Sequence, residues 1–317
     1  MTGPSVVRLG VFSPPVLVRV ARACGHLADL DVVEVPATDS PAQFRDLAAG
    51  RLDAALTSPD NVLRYRFRPD NPVGRTLDVR IVLGVDRGLG LALFGRAGAR
   101  DLADLRGGRL GVDVAGSGFA YAGYELLARA GWTSPADYTV VELGSTPRRL
   151  QALLAGQCDL TLLGAGNDLR AEAAGLPRLR RVAEVVTPYL GTVLAATGQT
   201  CDRRDPGVRA LARGLRATMA DLLAGRHRAA TVEAAADALG LPATLARRYL
   251  DTLLDPREGL VAGGRLDPAD LAAVARLRHR HDPAPPGTRR DEDRERPEDR
   301  PTPEDPDLVD QALLADG

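Results

Sequence analysis

The chain has 317 residues, 44% of them hydrophobic, and a formal net charge of −1. That balance supplies a substantial core and gives no electrostatic case for nucleic acid. Its basic residues are all arginine, with no lysine, and arginine and alanine are so frequent that a single arginine carries little functional information. Cys24, Cys158 and Cys201 are few, odd in number and unclustered, which suggests neither a disulfide framework nor a zinc site. No apolar run approaches the ~20 residues needed to cross a bilayer.

The N-terminal segment from Met1 reaches its first strand almost at once, with no basic region, apolar core or lipobox cysteine. As written the chain reads as cytoplasmic, or as extracytoplasmic if its N-terminus is truncated or misassigned.

In chain order, Arg8-Leu9-Gly10-Val11 opens a strand, followed by a helical segment over Val16–Leu27 and a second strand, Val32–Val35. Ser40-Pro41 reads as a hydroxyl N-cap with proline in the first turn. Gly50-x-x-Asp53 closes that helix, and a third strand over Ala54–Thr57 leads to Asn61. The stretch from Asn61 to Arg75, rich in Arg, Pro and Asn, reads as a loop that carries Tyr65 and Phe67 past a cleft or sheet edge. Val79–Val85 is a further strand. Gly84–Gly90 reads as a crossover in which Asp86 and Arg87 form a solvated pair.

The same order then recurs. Arg109-Leu110-Gly111-Val112 repeats the first strand and Phe119–Ala130 the first helix. Val140–Leu143 repeats the second strand, and Thr146-Pro147 the cap. Gly156-x-x-Asp159 and Leu160–Leu163 follow, and the copy ends at Asn167. Between the copies, Leu91–Phe94 reads as the first strand of a second lobe. After them, Val182–Val186 reads as a strand and Thr187–Thr192 as a second crossover. Helices are expected over Gly207–Ala224, Thr231–Leu239, Pro242–Leu254 and Pro268–Leu277. Beyond Asp282, Pro, Arg, Asp and Glu dominate, which predicts a disordered tail.

The duplication predicts an α/β protein with two similar lobes. Each holds a mixed, mainly parallel sheet flanked by helices, and a two-crossover hinge joins them. The expected divisions are 1–87 (first lobe), 88–188 (second lobe), 189–282 (return to the first lobe and C-terminal helices) and 283–317 (tail). In such sheets ligands bind beyond the carboxyl ends of the strands, so two facing lobes make a cleft. At its centre stands Gly116-Ser117-Gly118, where a strand ends and a helix opens. Small residues and the positive end of a helix dipole suit an anionic or strongly polar group.

The paired lobe starts, the paired Gly-x-x-Asp turns and the segment Asp104–Val112 resemble the type 2 periplasmic binding proteins. Within them they resemble the branch that binds sulfonates, nitrate and thiamine-pyrimidine precursors for ABC importers. The resemblance covers about residues 6 to 280 and implies reversible capture of a ligand between the lobes. The expected ligand shell is Ser13, Thr57, Ser58, Asn61, Ser117, Gly118, Phe119, Asn167 and Tyr189. Aromatic walls from Phe119 and Tyr189 suit a flat heterocycle or aromatic acid. Asp168, were it in the site, would argue for a cationic or donor-rich ligand. No cofactor and no metal are expected. The expected partners are a small molecule and an ABC permease, with no nucleic acid and no transmembrane segment, and the chain is expected to be a monomer. The alternative is a cytoplasmic enzyme on the same scaffold, a lyase or a pyrimidine-precursor synthase. For this, Asp60, Asp113 or Asp168 could act as base, while Ser13, with no evident base, would be a poor nucleophile. The effector domain of a transcription regulator would need a DNA-binding segment before residue 6.

Overall fold

The computed structural model describes residues 5–282, 307–310 and 314. The first lobe opens with β1 (Ser5–Val11), α1 (Val16–Ala23), β2 (Leu30–Pro36), α2 (Ser40–Ala48), β3 (Ala54–Thr57), α3 (Pro59–Phe67) and β4 (Val79–Asp86). The second contains β5 (Ala92–Gly95), β6 (Gly108–Val112), α4 (Gly118–Arg129), β7 (Tyr138–Glu142), α5 (Thr146–Leu154), β8 (Leu160–Leu163), α6 (Asn167–Ala173) and β9 (Arg178–Arg181). The chain then returns through β10 (Thr192–Thr197) and α7 (Gly198–Asp202). It ends in α8 (Pro206–Leu223), α9 (Arg228–Leu239), α10 (Ala243–Leu254) and α11 (Pro268–His281).

The two five-stranded sheets have matching orders, β2-β1-β3-β10-β4 and β7-β6-β8-β5-β9. In each, the three strands of the repeat run parallel. The fourth, antiparallel to its neighbours, is the strand that has just crossed between lobes, β10 in one sheet and β5 in the other. The fold is the two-lobed α/β architecture that the duplication predicts.

The repeated sequence signs turn out to be one repeated contact. The Arg8 backbone N–H and Nε donate to Asp53 Oδ2 at 2.8 and 3.0 Å, and Asp53 N–H returns a bond to the Arg8 carbonyl. In the second lobe the Arg109 N–H and Nε donate to Asp159 Oδ2 at 2.9 and 3.0 Å, with the same return bond. The glycine turn before each aspartate has positive φ, at Gly50 and Gly156. Each pair thus ties the start of a third strand to the first and fixes their register.

Several local expectations shift. The caps sit one residue earlier: Asp39 accepts from the Ala42 N–H at 2.7 Å, and Ser145, with no side-chain bond, precedes α5. Asn61–Arg75 is not all loop, because Ser58 caps α3 and Pro59 opens it. Tyr65 is therefore buried, its ring stacked on Phe44 at 4.0 Å. Val182–Glu184 is a 3₁₀ turn; the strand is the arginine-rich β9 before it.

Asp86 and Arg87 are not a solvated pair either. Asp86 is 3% exposed and accepts from the Gly88 N–H at 2.8 Å, while Arg87 turns to Asp270 of α11 at 2.7 Å. The crossover is flanked on one side by β10, with Thr192 opposite Asp86, and on the other by residues 258–261. There the N–H groups of Arg87 and Leu89 donate to the carbonyls of Gly259 and Glu258, and Val261 N–H donates to Val85.

Helices α8 and α9 pack on α1, and α10 on α9. The last helix departs from the expected packing on the first lobe alone, since α11 lies against both α3 and α4 and spans the two lobes. Most of the predicted tail lies outside the described residues. Leu308 and Leu314, which are described, are buried against the first-lobe core, and Val309 pairs with Ile81 on the edge strand β4.

Burial raises the Asp86 carboxyl to about 6 against the hydrogen bonds from Gly88 and Thr192. The folded chain therefore binds this proton more tightly than the unfolded one. The stabilisation is complete below the ordinary carboxyl range and is lost as pH rises through about 6. Asp86→Asn, whose amide oxygen still accepts from Gly88, escapes that loss. Urea melts across a pH series are expected to find it more stable than the native chain near neutrality, by up to about 3 kcal/mol. That difference should vanish toward about pH 4.

Candidate functional site

Both sheets aim the carboxyl ends of their parallel strands at the interlobe gap. From the first lobe, β3 ends in Thr57 and Ser58, and α3 carries Asp60, Asn61 and Arg64. Ser58 Oγ caps the helix at the Asp60 N–H, and Asn61 Nδ2 donates to Thr57 Oγ1 at 3.1 Å. The buried Oδ1 of Asn61 has no hydrogen-bond partner. Ser13 follows β1 at the same end of the sheet, half-buried; it is not the cap of α1, a position that Pro15 holds.

From the second lobe, Ser117 caps α4 by accepting from the Ala120 N–H and donates its own hydroxyl proton to Asp113. The N–H groups of Gly118 and Phe119, in the first turn, have no acceptor within the helix. Phe119 is half-buried beside Asp113, Arg149 and Leu162 in a small recess. Arg149 is buried at 2% exposure. It donates to the carbonyls of Gly144 and Leu162, but its Nε has no partner. Burial lowers its pKa, while Asp113 opposes the shift. Burial likewise raises Asp113, against Arg149 and the Ser117 hydroxyl.

The lobes touch across this gap. Arg64 Nη1 donates to the Gly116 carbonyl at 2.6 Å, and Ser145 N–H donates to the Thr38 carbonyl at 3.2 Å. Gly118 lies directly against Ser58 and Asp60: a Cβ at Gly118 would stand 2.9 Å from Ser58 Oγ and 2.5 Å from Asp60 Cβ. Arg278 of α11 enters from the side, with its Nε and Nη2 on the two carboxylate oxygens of Asp60 at 2.9 and 2.7 Å. Its guanidinium also sits 5.3 Å from the ring centre of Tyr121 on α4. Burial lifts the Asp60 carboxyl, with Arg278 and Arg64 pulling against it. Tyr189 is buried at the second crossover, against Gly88. Burial drives its phenol pKa up, and the nearby charges of Asp60, Asp86 and Asp113 add to the shift.

Ser58, Ser117, Gly118 and Phe119 thus converge, with Thr57 and Asn61 behind Ser58 and Tyr189 at the hinge side. The second-lobe pair sits differently. Asn167 Nδ2 donates to Gly164 within its own turn. Asp168 accepts from the Gly166 N–H and faces Gly90 and a groove shared with Arg181, Arg248, Thr252 and Glu258. Burial raises its carboxyl to about 7. Arg64, Arg149 and Arg278 escape a reading of the sequence, because no arginine stands out where all basic residues are arginine.

Residues 22–239 match the family model described as the phosphonate ABC-transporter periplasmic substrate-binding protein. No curated protein sequence is significantly similar to the chain. Among solved structures, the alkanesulfonate-binding protein SsuA of Xanthomonas axonopodis pv. citri, bound to MOPS, superposes with a TM-score of 0.70. It is 19% identical, over 89% of this chain and 94% of that one. The aliphatic sulphonate-binding SsuA of Escherichia coli gives 0.64 at 17% identity, over 87% and 86%. The nitrate-binding NrtA of Synechocystis PCC 6803 gives 0.63 at 10% identity, over 76% and 69%.

Two substitutions test the gap. Gly118→Ala keeps a good helix former but sets a methyl against Ser58 and Asp60. Small-angle scattering should find the chain folded but wider, with its lobes held apart. Arg278→Met leaves the Asp60 carboxylate buried without its partner, and chemical denaturation should register a loss of about 3–5 kcal/mol.

Proposed function

This chain belongs to the phosphonate-binding family of periplasmic ABC-transporter substrate-binding proteins, and from that premise we propose that it captures a small organic oxyanion of the phosphonate or sulfonate type. The observation that carries the reading is the meeting of the α4 N-terminus with Ser58, Asp60 and Arg64 across the gap. The helix end offers N–H donors and a positive dipole to an anion. Ser58 adds a hydroxyl, Ser117 caps the helix end, Arg64 adds a charge from the facing lobe, and Phe119 and Tyr189 provide an apolar wall for an organic tail. Thr57 and Asn61 hold this shell from behind, Ser13 borders it, and Asn167 stays at its margin. The sulfonate- and nitrate-binding neighbours, which share the fold, are in keeping with an oxyanion.

The partner is then an ABC permease, and the family points to an extracytoplasmic location. Among the described residues no helix is long and apolar enough to cross a membrane. The family match lends no support to the lyase or synthase alternative. One observation favours a second ligand class: the unpartnered acceptor of Asn61 suits a donor-bearing heterocycle such as a pyrimidine.

A thermal-shift panel of methylphosphonate, ethanesulfonate, nitrate and an aminopyrimidine decides between them. A true ligand at 100 times its Kd adds about 2.7 kcal/mol of stability. The expected result is a shift with the phosphonate or sulfonate that shrinks in Ser58→Ala. A shift with the aminopyrimidine alone would replace the oxyanion reading.

A further inference from the structure

We propose that His26, Asp221 and His227 form a binding site for a divalent transition-metal ion of the zinc class, on the first lobe and outside the ligand cleft. His26 follows α1, Asp221 lies in the last turn of α8, and His227 immediately precedes α9. These three elements pack together as α1 meets both α8 and α9. The Nε2 atoms of the two imidazoles stand 2.9 and 3.0 Å from one and the same carboxylate oxygen, Asp221 Oδ2. One ligand atom from each of the three residues falls within 4.8 Å of the others. The rings meet edge to face, with centroids 6.3 Å apart and planes at 89°, so both present nitrogen to a common point without stacking.

Two imidazoles and one carboxylate are a donor set that suits zinc, copper or nickel and not the hard cations calcium and magnesium. Around a tetrahedral zinc with bonds of about 2.0–2.2 Å, ligand atoms stand roughly 3.4 Å apart. Each nitrogen would therefore move by only about half an ångström from the shared oxygen to admit the ion, and the two nitrogens already lie within 4.8 Å of each other. The carboxylate is already oriented for this. Arg226 donates through Nε and Nη2 to Asp221 Oδ1, at 3.1 and 2.5 Å, which occupies that oxygen and leaves Oδ2 to face the imidazoles. Such an outer hydrogen bond is how metal-binding carboxylates are held in place.

The side chains of His26, Asp221 and His227 remain 27%, 17% and 35% exposed, so an ion has a path in and a water can complete its shell. Bound there, the ion would join the end of α1 to the α8–α9 turn. None of the three residues touches the cleft, so this site stands or falls apart from the ligand proposed above. Nothing local in the sequence announces it, because His26 and Asp221 lie 195 positions apart.

The test uses the full, tag-free chain, stripped of metal with a chelator and titrated with Co²⁺ and then Zn²⁺. The expected result is one equivalent of cobalt with the visible bands of a four-coordinate ion, displaced by zinc, and a melting temperature that rises with zinc. His26→Ala and His227→Asn should each weaken zinc by more than about tenfold and abolish the rise. His227→Asn keeps a residue tolerant of the left-handed backbone at this position (φ 57°), so its loss of zinc would not be a loss of fold. His281→Ala, at a different imidazole–carboxylate contact, should bind as the native chain does. Zinc binding unchanged in both site variants, or lost in His281→Ala instead, would overturn the proposal.

Discussion

The closed arrangement of this molecule turns on the pairing of Asp60 with Arg278. The carboxylate belongs to α3 of the first lobe and is 1% exposed; the guanidinium comes from α11 and lies over Tyr121 of the second lobe. Two charges removed from water carry a large desolvation cost, which only a two-pronged, well-aligned contact offsets. The pair therefore contributes a single permitted geometry more than net stability. The rest of α11 follows from it. Asp270 at its start holds Arg87 at the crossover, and Arg280 and His281 at its end reach Glu125 of α4. One helix thus bonds to the first lobe, the second lobe and the joint between them.

That helix works on a frame built twice. The Arg8–Asp53 and Arg109–Asp159 contacts set the same strand register in both sheets, and register decides which side chains face the core. The two lobes then diverge where their chemistry must differ. The first presents Thr57 and Ser58 just before α3 and Asn61 within it, and the second presents the N-terminus of α4, whose Gly118 lets the side chains of Ser58 and Asp60 approach.

Much of this was legible in the sequence, because it rests on local punctuation. Paired Gly-x-x-Asp turns, proline in the first helical turn and short β-branched runs give the element order directly. The misread elements share a cause, too. The arginine-rich stretch 61–75 reads as loop, yet Arg64 and Arg66 lie on α3, and the strand expected at 182–186 falls instead on Arg178–Arg181. Long-range pairing then decided what a polar residue does. Asp86 looked solvated because what buries it, β10 with Thr192 and the segment at Leu260, comes from far along the chain. The turn at 116–118 was readable as the point where a strand ends and a helix opens, and Ser117 does cap α4 there. Arg64 and Arg278 beside it were not, since their partners, the Gly116 carbonyl and the Asp60 carboxylate, lie 52 and 218 residues away.

The way the lobes are joined has a mechanical consequence. The outgoing and returning strands are bonded side by side, and residues 258–261 lie along the outgoing one as a third member. Two independent linkers would let one lobe swivel freely over the other; a ribbon resists shear and torsion and yields only by bending across its width. Any displacement of the second lobe is thus confined to one fixed axis, like a door leaf on its hinge.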